Sequence, residues 1–202
     1  HKNKAWYIPF WELHNVSYDV TGSAAWKLVN DEDMSELKFT INTKDVHKML
    51  QVLGCNPILE AGKMQLTANL KWDAPLWTFK LHQMQGDVAG KITNGRTMNL
   101  SKQTETKLGL VKILSLFSLQ TIPRRLQLDF SDLSHEGYSF DEVNAEFSLN
   151  DSILETKSCK FEGPVASTDV FGRIDLDHEL YDLIIKIAPH ITASLPVVAT
   201  IA

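Results

Sequence analysis

Apolar residues fall at every second position through most of this chain. Leu66, Ala68, Leu70 and Trp72 point one way, and Gln65, Thr67, Asn69 and Lys71 point the other. That period is the mark of a strand with one face in a core. The same spacing predicts strands through Trp6, Ile8 and Phe10, through Val16, Tyr18 and Val20, and over residues 24–29. It continues through Leu37, Phe39 and Ile41, through Phe79 and Leu81, and over residues 86–92. Further strands are predicted through Phe140 to Leu149, over residues 153–161 and 165–176, and through Tyr181, Leu183, Ile185 and Ile187. Thr21-Gly22-Ser23, Asn30-Asp31-Glu32-Asp33, Asn150-Asp151-Ser152 and Gly163-Pro164 read as turns. Asn94-Gly95 reads as a two-residue hairpin, with a returning strand through Met98 and Leu100.

Two segments break the period. Val46, Met49, Leu50 and Leu53 fall at helical spacing, predicting an amphipathic helix over 44–53, with Thr43 as its cap and Gly54 as its stop. Residues 108–119 are apolar on nearly every side and include Leu110, Leu114 and Phe117. As a helix this segment is about 18 Å long, against a bilayer core of about 30 Å, so it does not span a membrane. Pro123 stops it. Arg124 and Arg125 follow, and alternation resumes through Leu126, Leu128 and Phe130.

Strands without a βαβ rhythm imply antiparallel pairing. Gly62-Lys63-Met64, Gly86-Asp87-Val88 and Gly172-Arg173-Ile174 share one look at no fixed period, which suits a meander better than a propeller or solenoid. The expected fold is mainly β: a long curved antiparallel sheet, an open groove or half-barrel, with the helices packed on or capping its apolar face. Residues 1–202 are expected to form one such segment, a fragment of a longer chain.

Composition narrows the function. Hydrophobic residues make up 44% of 202, enough for a core, and the net charge is −5. No basic field suits a phosphate backbone, so no nucleic-acid partner is expected. The 2 cysteines, Cys55 and Cys159, give neither a disulfide framework nor zinc spacing. The 7 histidines form no i, i+2 or i, i+4 pair, so no metal or other cofactor is expected. Asn30 to Asp33 lacks the glycine and ligand spacing of a calcium loop, and a solvated hairpin tip is the simpler account. Ser134-His135-Glu136 has the residue types of a triad, but adjacent residues cannot reach one another as a triad requires. No catalytic residue emerges. Asp175 and Asp177 suit a solvated turn.

A resemblance adds to this reading. RRLQLDFSDL over 124–133, with Gly137 and Phe140-Asp141 after it and Leu108-Gly109-Leu110 before it, resembles the C-terminal region of the YhdP family of AsmA-like proteins of Gram-negative bacteria. Phe161-Glu162-Gly163-Pro164-Val165-Ala166, Gly172-Arg173-Ile174-Asp175-Leu176, Ser194-Leu195-Pro196 and Trp72-Asp73-Ala74-Pro75 fit the same pattern. Where the family has a small-residue segment before the apolar helix, this chain has Gln103-Thr104-Glu105-Thr106. The resemblance implies a periplasmic protein anchored in the inner membrane by an N-terminal helix absent here. It implies a curved sheet with an apolar inner face that handles phospholipid on its way to the outer membrane, supports that membrane's permeability barrier, and is not an enzyme.

The residues agree with the resemblance on one matter. A sheet with one apolar face must cover it or bind something apolar with it. Leu66, Leu70, Trp72, Leu110, Leu114, Phe117, Leu126, Leu128 and Phe130 are therefore candidate contacts for phospholipid acyl chains, or else simple core. Arg124 and Arg125 either bind lipid phosphate or balance Asp129 and Asp132. The competing reading is a spacer or partner dock whose apolar face is wholly covered by its own helices.

Overall fold

The computed structural model describes residues 4–53, 59–60, 62–78, 81–97, 139–164, 166–178 and 180–190. Within them lie β1 (Lys4–His14), β2 (Asp19–Val29), β3 (Glu32–Thr43), α1 (Val46–Val52), β4 (Leu59–Glu60) and β5 (Lys63–Trp72). A single 3-10 turn, Leu81–Gln83, leads into β6 (Met84–Thr97). After it come β7 (Ser139–Asn150), β8 (Ile153–Glu162), β9 (Ala166–Asp175) and β10 (Leu180–Pro189). All the strands join one antiparallel sheet in the order β1-β2-β3-β5-β6-β7-β8-β9-β10, with β4 pairing the far end of β6. The meander expected from the sequence is the observed topology, and the sheet is open.

The register explains why one face is apolar. A single row runs across nine strands: Ile8, Ala24, Leu37, Leu70, Gly86, Leu149, Leu154, Ile174 and Tyr181 are successive cross-strand partners. One residue along, on the other face, runs Ser23, Lys38, Asn69, Asp87, Ser148, Glu155, Arg173 and Asp182. A slip of one residue in any strand would exchange these rows, so burial of the apolar row fixes the register. Each fully buried Leu or Ile in it contributes roughly 1.5–3 kcal/mol. The polar row is laced with exposed ion pairs such as Lys157–Asp87 and Arg173–Asp182, and each such pair is worth about 1 kcal/mol or less.

Alternation survives two bulges. In β1 the register shifts between Ile8 and Trp11, so the apolar face takes Trp6 and Ile8 and then Trp11 and Leu13. In β8 Phe147 pairs Thr156 while Glu146 pairs Ser158, leaving Lys157 as the extra residue. Leu154 therefore shares a face with Cys159 and Phe161 although their numbers differ in parity. Tight turns fit their residues. Asn30 and Asp31 both have positive φ, 54° and 64°, as a two-residue hairpin of the twisted-strand type requires. Asp151 and Ser152 do the same at 47° and 65°.

Several expectations need correction. Thr21-Gly22-Ser23 is mid-strand in β2, and the chain turns earlier, where the Asn15 N–H bonds the Tyr18 carbonyl. Gly22 is there because the Lys38 carbonyl and the Trp11 indole crowd it; a Cβ would stand 2.3 Å from the carbonyl oxygen and 2.5 Å from the ring. Asn94-Gly95 is not a hairpin. β6 runs straight through it, Asn94 takes φ 55°, and Gly95 resumes the ladder opposite Phe140. β5 and then β4 line one side of β6 and β7 lines the other, so a hairpin partner has no place there. Leu81 belongs to the 3-10 turn rather than to a strand. α1 is capped by Asp45, whose carboxylate accepts from the Lys48 N–H at 3.0 Å, while the Thr43 hydroxyl instead donates to the Ser17 carbonyl at 2.6 Å. The expected apolar helix over 108–119, the arginine pair, the strand through Phe130 and the returning strand through Met98 and Leu100 lie outside the described residues.

Candidate functional site

The apolar face of the sheet is the candidate site, and its burial is uneven. Around the middle strands it is a closed core. Leu70, Trp72, Met84, Phe147, Leu149, Leu154, Val170 and Ile174 are all buried, with Met84 at 0% exposure. Leu66, beside Gly90 and Ile41, is half-buried. At one end of the strands, α1 adds Val46 and Met49 to the same cluster. Toward both outer strands the face opens. Ile8 and Leu13 of β1 are exposed, as are Ile185 and Ile187 of β10. Burying isoleucine or leucine is favourable, so an apolar row left in water at two edges is a surface awaiting cover.

Three of the sequence candidates can therefore be placed. Leu66, Leu70 and Trp72 share one strand face, as their spacing requires, with Leu70 and Trp72 inside the core. Leu110, Leu114, Phe117, Leu126, Leu128, Phe130, Arg124 and Arg125 lie outside the described residues.

The sequence reading missed an aromatic corner. Trp6 of β1 and Trp26 of β2 are cross-strand partners, and Trp77, in the loop after β5, joins them. Ring centroids lie 5.8 Å apart for Trp6–Trp26, 6.3 Å for Trp6–Trp77 and 5.7 Å for Trp26–Trp77. The Trp26 indole N–H donates to Asp33 Oδ1 at 2.6 Å. Trp72 anchors the same end, its indole N–H donating to the Pro75 carbonyl at 3.2 Å, and the buried Ser35 hydroxyl donates to the Ala74 carbonyl at 2.7 Å.

One titratable group, Cys159, is buried in the core of the face. Burial, reinforced by the charge of Asp169, pushes the Cys159 thiol up to about 11, so it stays protonated and unreactive. On the polar face Lys91 and then Asn144 hydrogen-bond Glu142 and hold its carboxyl below the usual range. At the β9–β10 turn Asp175 accepts from the backbone N–H groups of Asp177 and His178 and pairs with the His178 ring at 2.9 Å. That is the solvated turn the sequence suggested. Among the described residues no cluster of His, Cys, Asp or Glu has the makings of a metal site, and no helix is long and apolar enough to cross a membrane.

A nine-strand meander with one continuous apolar face is the setting in which the family match is found. The model of the YhdP protein family matches residues 1–202. The chain belongs to the YhdP family. Among the curated proteins, YhdP of Escherichia coli (strain K12), named intermembrane phospholipid transporter, is 21% identical over 184 residues. That alignment takes in 91% of this chain and 14% of the Escherichia coli protein, so the chain spans about one seventh of that YhdP. No solved structure matches the chain.

Proposed function

We propose that this chain is a segment of a phospholipid-handling groove, its apolar face taking acyl chains as lipid moves between the inner and outer membranes. One observation carries the reading. Cross-strand register puts apolar side chains on one face of nine successive strands, and that face is exposed at both edges. Acyl chains suit such a surface because each buried CH₂ contributes about 0.8 kcal/mol and asks for no polar partner. The family relationship supports the choice of lipid over other apolar ligands, since the matched relative is named for phospholipid transport. On this reading residues 1–202 are one unit of a periplasmic protein anchored in the inner membrane, and the unit is not an enzyme. Leu66, Leu70 and Trp72 then form the floor of the groove. Leu110, Leu114, Phe117, Leu126, Leu128 and Phe130 contribute further apolar contacts, and Arg124 and Arg125 meet lipid phosphate or balance nearby acids.

A second reading has its own support. The burial of Leu70, Met84, Phe147 and Ile174 is what a self-covered core looks like, and such a unit would serve as a spacer or partner dock. Native mass spectrometry of the purified chain, before and after delipidation, separates the two. Bound phospholipid that is lost on delipidation and regained on adding lipid is expected for the groove. Identical spectra, with no uptake of fluorescent phospholipid, would leave only the dock.

A further inference from the structure

The aromatic corner does not serve the core. Trp6 is 62% and Trp77 67% exposed, yet both rings pack against Trp26. Beside them the strand pattern is broken by a charge. Asp33 stands on the apolar face of β3, two positions before Ser35 and opposite Leu28, where alternation calls for an apolar residue. Its Oδ1 is held by the Trp26 indole N–H, which fixes the carboxylate against the rings. Indole faces are electron-rich and attract a cation lying over them, and a neighbouring carboxylate adds to that pull. The same pair repels an anion. Lys4 occupies the same face of β1, also opposite Leu28, so an ammonium and a carboxylate flank one leucine at this corner.

We propose that this corner binds the head of a zwitterionic phospholipid: its ammonium over the indole faces of Trp6 and Trp77 and beside Asp33, its phosphate toward Lys4. The acyl chains then run down the apolar face past Ala24 and Phe39. The chemistry selects an organic ammonium, which an anionic glycerol head lacks. This inference rests on the reading that the face takes acyl chains, and it adds which end holds the head and which head is preferred.

The test titrates the 202-residue chain with dihexanoyl phosphatidylethanolamine and dihexanoyl phosphatidylglycerol, both kept monomeric, reading tryptophan emission and native mass spectra. The ethanolamine lipid is expected to bind about fivefold more tightly, within the range of an exposed cation–π site aided by a charge. Asp33→Asn keeps an acceptor for the Trp26 N–H but removes the charge. It is expected to erase most of the preference, part of it by relieving the repulsion of the glycerol lipid. Trp77→Leu, at an exposed loop position, is expected to do the same, with circular dichroism confirming the fold of each variant. Equal binding of the two lipids by the unaltered chain would overturn the inference and leave the lipid reading standing. Binding of neither would overturn both. A preference that survives both substitutions would also overturn the corner as its source.

Discussion

Ile174 and Ile187 sit on the same face of the same sheet, one strand apart. Ile174 is 1% exposed and Ile187 is 46% exposed. The first has neighbours on both sides, paired to Leu154 of β8 and to Tyr181 of β10. The second pairs Thr168 of β9 and belongs to the last strand of the sheet. Ile8 on β1 repeats the exposed case at the opposite side, beside buried Ala24. The same alternation thus produces a core in the interior and an apolar surface at the edges. The buried interior holds the sheet together, and the edges, with half-buried Leu66 between them, have apolar area left for a ligand.

That contrast can be broken by placing a charge on each part. Leu70→Asp puts a carboxylate among the buried apolar side chains of the interior, and loss of the cooperative unfolding transition is expected. Ile185→Asp, near the open edge, is expected to leave a folded sheet with the same circular dichroism. Unfolding of both, or of neither, would remove the distinction.

Truncation sharpens the same comparison with a smaller effect. Ile174→Ala should cost about 2–5 kcal/mol in chemical denaturation, as large-to-small core changes do. Ile187→Ala should cost less than about 1 kcal/mol, since water already reaches the side chain. Lipid retention should rank the two in reverse, with the edge change lowering it more for each unit of stability lost.

Backbone geometry offers a third comparison, within the interior itself. Gly86 has φ 154°, and a Cβ there would lie 1.9 Å from the Asn69 carbonyl oxygen. Gly86→Ala is expected to destabilise by about 3 kcal/mol, the scale of a forced backbone conformation. At Gly90 a Cβ meets the Leu66 side chain at 3.5 Å and the Gln65 carbonyl oxygen at 4.0 Å, both ordinary contacts, so Gly90→Ala should change the denaturation midpoint little.

The smallest effect is at the β9–β10 turn. The hydrogen bond that the His178 ring donates to the Asp175 carboxylate raises the His178 pKa above its ordinary value of 6.5, and the backbone and ring N–H groups of His178 lower that of Asp175 below 3.8. The raised histidine stabilises fully below pH 6.5, and that contribution is lost as pH rises through its folded-state value. The lowered carboxyl stabilises above 3.8 and loses its contribution as pH falls through its folded-state value. The pair therefore helps most between these limits. In an NMR titration His178 should show a midpoint above 6.5, and Asp175→Asn should return it toward 6.5.

Much of this architecture was legible because alternation is a local property. Leu66 to Trp72, Leu37 to Ile41 and Tyr181 to Ile187 each announced a strand and its inner face. The antiparallel meander followed from short turns such as Asn30-Asp31. What stayed hidden depends on distant residues. Gly22 looked like a turn because the ring crossing it, Trp11, belongs to another strand. Asn94-Gly95 looked like a hairpin, and only its place in β6, paired to β5 and β7, shows that the strand runs on through it. The parity change at Lys157 is invisible without the pairing of β7 and β8. In the candidate site, period two found Leu66, Leu70 and Trp72. The cluster of Trp6, Trp26 and Trp77 joins two strands and a loop, so no local spacing predicts it.

The central claim is that lipid meets one face of this sheet and not the other. Leu66 and Thr67 are adjacent on β5 and point to opposite faces, Leu66 opposite Ile41 and Gly90, Thr67 opposite Thr40 and Ala89. A photoreactive phenylalanine analogue placed at each position in turn, irradiated in cells and followed by mass spectrometry, reports what lies against each face. Phospholipid adducts at position 66 and none at 67 are the expected result. Adducts at both positions alike, or only protein adducts at 66, would contradict the claim.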